Sequence, residues 1–182
     1  MRLGKMVVAT AFLVASASTS FAQSGGAEIT VGLGALSIIS SDGESLVGIG
    51  VNNQTVRLGL PLTEKVMLEP SISLLYLSGD GASTTNLGIG AFVPFYIGES
   101  TSQGLYLAPG ALVMYSSFDG EDDFFDGSTS QVAVAFEVGN KSRISDAVSL
   151  RLAGQLTLAL ENDDNVGSTT IQGIIGLSVR LK

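Results

Sequence analysis

Eight times along this chain a run alternates large apolar side chains with small or polar ones, and the links between the runs alternate as well. Period-two alternation assigns successive side chains to opposite faces of an extended strand, so each run predicts a strand with two unlike faces. The runs span residues 28–39, 46–62, 66–78, 85–97, 104–117, 130–140, 147–161 and 168–181. An even number of consecutive strands joined by short links predicts an all-β, eight-stranded antiparallel up-and-down barrel. Closure leaves no unpaired edge. Around Asn52, Asn53 and Gln54 the second run loses phase. A bulge or a tight turn would account for the break, and the bulge is preferred because it keeps the strand number even.

The two faces differ in kind. In the seventh run Val148, Leu150, Leu152, Leu156, Leu158 and Leu160 share one face, and Ser149, Arg151, Ala153, Gln155, Thr157 and Ala159 the other. The sixth sets Val132, Val134, Phe136 and Val138 against Gln131, Ala133, Ala135 and Glu137, and the fourth sets Leu87, Ile89, Ala91, Val93, Phe95 and Ile97 against Gly88, Gly90, Phe92, Pro94 and Tyr96. A small, mostly neutral face makes a poor water-facing surface but fills the narrow interior of an eight-stranded barrel. The aliphatic face is then expected to meet lipid, which makes the barrel transmembrane. A soluble barrel holding an apolar ligand would require the reverse facing.

The links give the barrel a direction. Those at 40–45, 79–84, 118–129 and 162–167 are acidic, and those at 63–65, 98–103 and 141–146 are short and mixed in charge. Asp42, Glu44, Asp80, Asp119, Glu121, Asp122, Asp123, Asp126, Glu161, Asp163 and Asp164 lie in or beside the first set, and Lys65, Lys141 and Arg143 in the second. Long outer loops and short periplasmic turns are the asymmetry expected of outer-membrane barrels.

Composition agrees. Charged residues make up only 14% of the chain, against about 25% in an ordinary globular domain. Residues 1–22 read as a cleaved secretory signal: Arg2 and Lys5, a short apolar core, then Ser20 and Ala22 at the −3 and −1 positions. Residues 23–182 then form a single barrel domain. Without Arg2 and Lys5, 7 basic residues face 17 acidic ones, a balance that disfavours nucleic acid as a partner. The chain has no Cys and no His. Disulfides, thiolate metal sites and the commonest general base are therefore absent, and no catalytic residue, metal or cofactor is expected.

The whole stretch after the signal resembles the small eight-stranded outer-membrane barrels of the OmpA/OmpX type, the outer membrane protein β-barrel domain family. The likeness rests on Val56-Arg57-Leu58-Gly59 followed by Val66-Met67-Leu68-Glu69-Pro70-Ser71, similar to that family's second hairpin. It rests also on Gly176, Val179 and Leu181 in the last strand, similar to the family's assembly signal, although Lys182 stands where an aromatic residue usually ends it and Ile174 where a polar one is usual. The resemblance implies an outer-membrane location, contact with outer-membrane lipids, and insertion by the barrel assembly machinery through the C-terminal strand.

Two constellations carry charge. On the small face lie Arg57, Glu69, Glu137, Arg151 and Arg180. The hairpin between the second and third runs brings Arg57 near Glu69. A turn centred at Ile144 would set Glu137 across from Arg151, with Arg180 about one pair away and Glu28 approaching it on closure. This lumen polar cluster reads as a structural plug of ion pairs in preference to an ion path. The second constellation is the acidic outer loop: Asp119, Glu121, Asp122, Asp123 and Asp126 around Phe124 and Phe125. Its acids could collect hard divalent cations, but it lacks the spacing of a calcium loop, and hydration is the preferred reading. The two phenylalanines are either a partner anchor or a dip into the lipid interface. Tyr76, Phe95, Tyr96, Tyr106 and Tyr115 fall near strand ends, as interfacial aromatic girdles do.

The function expected from these readings is that of a monomeric, non-enzymatic outer-membrane barrel, supporting the envelope or meeting an unidentified surface partner through its acidic loops. A narrow channel for ions or small solutes is the alternative, and a soluble ligand-binding barrel the more distant one.

Overall fold

The computed structural model describes residues 26–41, 44–79, 82–120, 127–161 and 167–181. The expected signal at 1–22 and the loop acids Glu121, Asp122, Asp123 and Asp126 lie outside these residues. Among the described residues nine strand segments follow one another: β1 (Glu28–Ser41), β2 (Glu44–Pro61), β3 (Met67–Gly79), β4 (Ala82–Phe92), β5 (Phe95–Ser100), β6 (Gln103–Gly120), β7 (Gly127–Arg143), β8 (Val148–Ala159) and β9 (Ser168–Arg180).

They make eight staves, because β4 and β5 occupy one place in the wall and both pair with β6. The sequence predicts a single strand there. Pro94 interrupts it, since proline has no N–H to give to a ladder. The backbone is re-knit across the break: Val93 N–H donates to the carbonyl of Pro109 at 2.9 Å, and the Pro94 carbonyl accepts from Met67 N–H at 3.1 Å.

The staves run β1-β2-β3-β4/β5-β6-β7-β8-β9 and return to β1, every neighbour antiparallel. The closing seam is a ladder from Glu28↔Arg180 to Ser41↔Ser168, reinforced inside by a 2.6 Å hydrogen bond between the hydroxyls of Thr30 and Ser178. The phase break in the second run is a bulge, as preferred: β2 is continuous, and its register against β1 jumps from Gly34↔Asn53 to Leu36↔Ile49. β1 carries its own extra residue against β9, with Gly34↔Ile174 followed by Leu36↔Gly173.

Facing follows the alternation. On β7, Ala133, Ala135, Glu137 and Lys141 are buried while Val132, Val134, Phe136 and Val138 are exposed. On β8, Arg151, Gln155, Thr157 and Ala159 are buried and Leu152, Leu156 and Leu158 exposed. Large aliphatic side chains point outward on every stave, from Val31 on β1 through Val56, Ile72, Ile89, Val113, Val134 and Leu158 to Ile175 on β9. That is the opposite facing to a soluble barrel that shelters an apolar ligand. The girdle expectation needs correction. Phe95 and Tyr115 face outward, but Tyr96 and Tyr106 are 4% and 0% exposed and turn into the lumen, because they fall on its parity.

Candidate functional site

The lumen is filled, towards the end of the barrel that carries both termini, by a closed ring of ion pairs. Arg57 on β2 and Glu69 on β3 are hairpin neighbours; Glu137 on β7 and Arg151 on β8 are the corresponding neighbours on the opposite wall. Each wall presents one cation and one anion, and the order is reversed between them, so every cation meets an anion across the lumen as well as beside it. Arg57 Nη1 lies 3.4 Å from Glu69 Oε2 and its Nη2 2.7 Å from Glu137 Oε2. Arg151 Nη1 lies 2.8 Å from Glu69 Oε1 and its Nη2 2.9 Å from Glu137 Oε1. All four residues are at most 4% exposed.

Neutral groups complete the ring. Tyr106 donates its hydroxyl proton to Glu137 Oε1 at 2.6 Å and accepts from Arg151 Nε at the same distance. Gln155 Oε1 accepts from Arg57 Nη2 at 3.2 Å, and Gln155 Nε2 donates to Thr157 Oγ1. The guanidinium of Arg57 stacks over Phe92 at 4.2 Å and that of Arg151 over Tyr106 at 4.5 Å, attractive contacts for a desolvated cation. Below the ring, Lys141 on β7 pairs with Glu28 on β1 and donates to the carbonyl of Thr101 at 3.0 Å. Burying ions in this way is tolerated only when each is paired and hydrogen-bonded, and here three cations face three carboxylates.

Small residues make room for these groups. A methyl on Gly139 would stand 2.3 Å from the Tyr106 hydroxyl, and one on Gly110 would stand 2.5 Å from the Phe92 ring. With Arg151, Tyr106, Phe92, Lys141, Met67, Glu69 and Glu137 all under 2% exposed, side chains occupy the bore at this level. Within this packing the Tyr96 hydroxyl is buried with no hydrogen-bond partner among the described residues.

The arrangement differs from the sequence expectation in three respects. The β7–β8 hairpin closes around Asp146, not Ile144, so Glu137 faces Gln155 and Lys141 faces Arg151; the long Arg151 side chain still reaches Glu137. Lys141, expected in a turn, belongs to β7 and is 1% exposed. Its parity with Glu137 was the available signal. Arg180 does not join the ring. It pairs with Glu28 in the ladder, but Arg151 faces Gly176, which leaves Arg180 two same-face steps nearer the mouth, exposed and without an ion pair among the described residues. Of the acidic loop, Asp119 sits near the end of β6, opposite Ser83.

No protein-family model matches the chain, and no curated protein sequence matches it either. Solved structures do. Neisserial surface protein A superposes with a TM-score of 0.71 at 12% identity, covering 86% of this chain and 97% of that one. Ail, the attachment invasion locus protein of Yersinia pestis, gives a TM-score of 0.58 at 15% identity, covering 87% of this chain and 100% of its own. The structure of Ail with the heparin analogue sucrose octasulfate gives 0.60 at 16%, with the same coverage. The chain has the fold of the small eight-stranded outer-membrane barrels. In this barrel the bore holds a neutral, hydrogen-bonded ion ring, and its carboxylates, on Glu69 and Glu137, are 0% exposed.

Proposed function

We infer that the chain is a non-enzymatic integral outer-membrane barrel whose lumen is a structural plug, with its activity lying in envelope support or in surface contact through its acidic outer loops. The observation that carries this reading is the unbroken outward aliphatic belt, on all eight staves, around a bore filled by paired ions. Such a belt costs free energy in water and none in hydrocarbon, where a closed ladder also satisfies every strand edge. The fold shared with Neisserial surface protein A and Ail supports the same location.

Outer-membrane lipids are then the surrounding partner, and the assembly machinery meets the C-terminal strand during insertion, the chain remaining a monomer. The acids at 42, 44, 80, 119, 121–123, 126, 161, 163 and 164 have no Lys or Arg among them at that end. Their field repels polyanions and attracts cationic surfaces, so a polyanion of the kind found with Ail is a poor ligand for this end.

Cell fractionation with surface proteolysis tests the reading. Recovery in the outer-membrane fraction, heat-modifiable migration on gels and cleavage near Asp122 in intact cells are the expected results. Recovery as a detergent-independent periplasmic protein overturns it. In planar bilayers the purified barrel is expected to be silent; a steady conductance altered by Arg151→Ala would replace the plug with the channel.

A further inference from the structure

Three turns lie at the same end of the barrel as both termini, and one of them behaves unlike the others. Residues 62–65 and 143–146 are exposed, whereas Thr101 and Ser102, between β5 and β6, are half-buried. Their carbonyl oxygens are gripped from other staves: Thr101 accepts from Lys141 Nζ of β7 at 3.0 Å, and Ser102 accepts from Ser149 Oγ of β8 at 3.3 Å. Because β8 is not a neighbour of β6, the second contact requires the turn to lean over the mouth past β7.

The local backbone is built for that lean. Gly104 has φ +118°, a conformation that side-chain-bearing residues rarely adopt, and the β5–β6 register slips between Ile97 and Ser100. Inside the turn, the hydroxyls of Ser100 and Ser102 bond to each other at 2.6 Å. Beside it lie the Lys141–Glu28 pair, whose Nζ grips Thr101, and Ser178, which is 1% exposed and is the cross-strand partner of the Ser149 that grips Ser102.

We propose that the β5–β6 turn is a latched strap closing the terminal mouth of the lumen, held by the Lys141 and Ser149 side chains and set in place by the left-handed backbone at Gly104. The ion ring is a fixed seal; the strap is a second seal in series, nearer the mouth, attached through two side-chain donors to main-chain oxygens and thus able to lift without breaking the ring. Lifting it exposes the Lys141–Glu28 pair and Ser178, otherwise buried, to water.

The native chain has no cysteine, so a single reporter decides the matter. Ser178→Cys in the folded full-length protein is treated with a water-soluble, positively charged methanethiosulfonate. Ser145→Cys in the exposed neighbouring turn serves as the open control. The strap predicts that the Ser178 reporter reacts at least about ten-fold more slowly than the control. It also predicts that Gly104→Val, and separately Lys141→Met with Ser149→Ala, each raise that rate at least about ten-fold while heat-modifiable migration is retained. A Cβ at Gly104 meets only the Ile97 carbonyl, so Gly104→Val acts first on the backbone of the turn and removes neither side-chain donor. A reporter as fast as the control overturns the proposal even if the variants do not fold, as does an unchanged rate in folded Gly104→Val.

Discussion

Arg151 of β8 holds Glu69 of β3 across the full width of the lumen, its Nη1 donating to both carboxylate oxygens at 2.8 and 2.9 Å. The two residues lie on opposite walls and 82 positions apart in the chain. Arg151→Met would leave Glu69 and Glu137 buried with half their compensation. A loss of about 3–5 kcal/mol is expected, measured by urea unfolding in lipid vesicles. Arg151→Met combined with Glu69→Gln is expected to lose less than Arg151→Met alone. A single-variant loss below about 1 kcal/mol would show that the ring does not hold the barrel together.

Tyr106 both donates to Glu137 and accepts from Arg151. Tyr106→Phe keeps the ring packing and removes both bonds, leaving charged partners short of one contact each. The expected cost is about 1–3 kcal/mol. Equal unfolding midpoints for Tyr106→Phe and the parent would sink this role for the hydroxyl.

Gly139 faces the lumen where the Tyr106 ring needs the room. Gly139→Ala should therefore destabilise by about 1–3 kcal/mol through overpacking. Shortening the opposing side chain with Tyr106→Leu removes the clash, so the double variant is expected to be more stable than the sum of the singles by more than about 0.5 kcal/mol. Strict additivity would contradict the contact.

The outward belt gives a test of solvent. Leu156 lies on the exposed face of β8 between Leu152 and Leu158. Leu156→Arg should cost about 2–4 kcal/mol in a bilayer if that stretch lies near the hydrocarbon centre. A change within about 0.5 kcal/mol would argue that this face meets water. Arg180→Ala, at the exposed mouth, is expected to stay within about 0.5 kcal/mol of the parent in the same assay.

Strand number, antiparallel order and the sidedness of each stave were legible in the chain because a period of two is a local property: Leu156 and Gln155 are assigned to opposite faces by adjacency alone. The bulge in β2 was legible for the same reason, as a break in that period. The split of the fourth stave at Pro94 was available in principle, since proline cannot serve a ladder, but the alternation on either side concealed it.

The ring was legible in its members and not in its wiring. Arg57, Glu69, Glu137 and Arg151 announce themselves as charges on a small-residue face. Which cation meets which anion depends on barrel closure, which sets β2 opposite β7 and β3 opposite β8. Register decided the rest. A hairpin centre displaced from Ile144 to Asp146 moved Glu137 out of the cross-strand position facing Arg151 and drew Lys141 into the wall. Arg180, on the right parity, was left at the mouth because parity fixes a side chain's face and says nothing about its height. The sequence by itself determined the two faces of every strand; only the closed tertiary structure decided depth, partners and the turn that folds over the mouth, because these are set by where distant staves are held relative to one another.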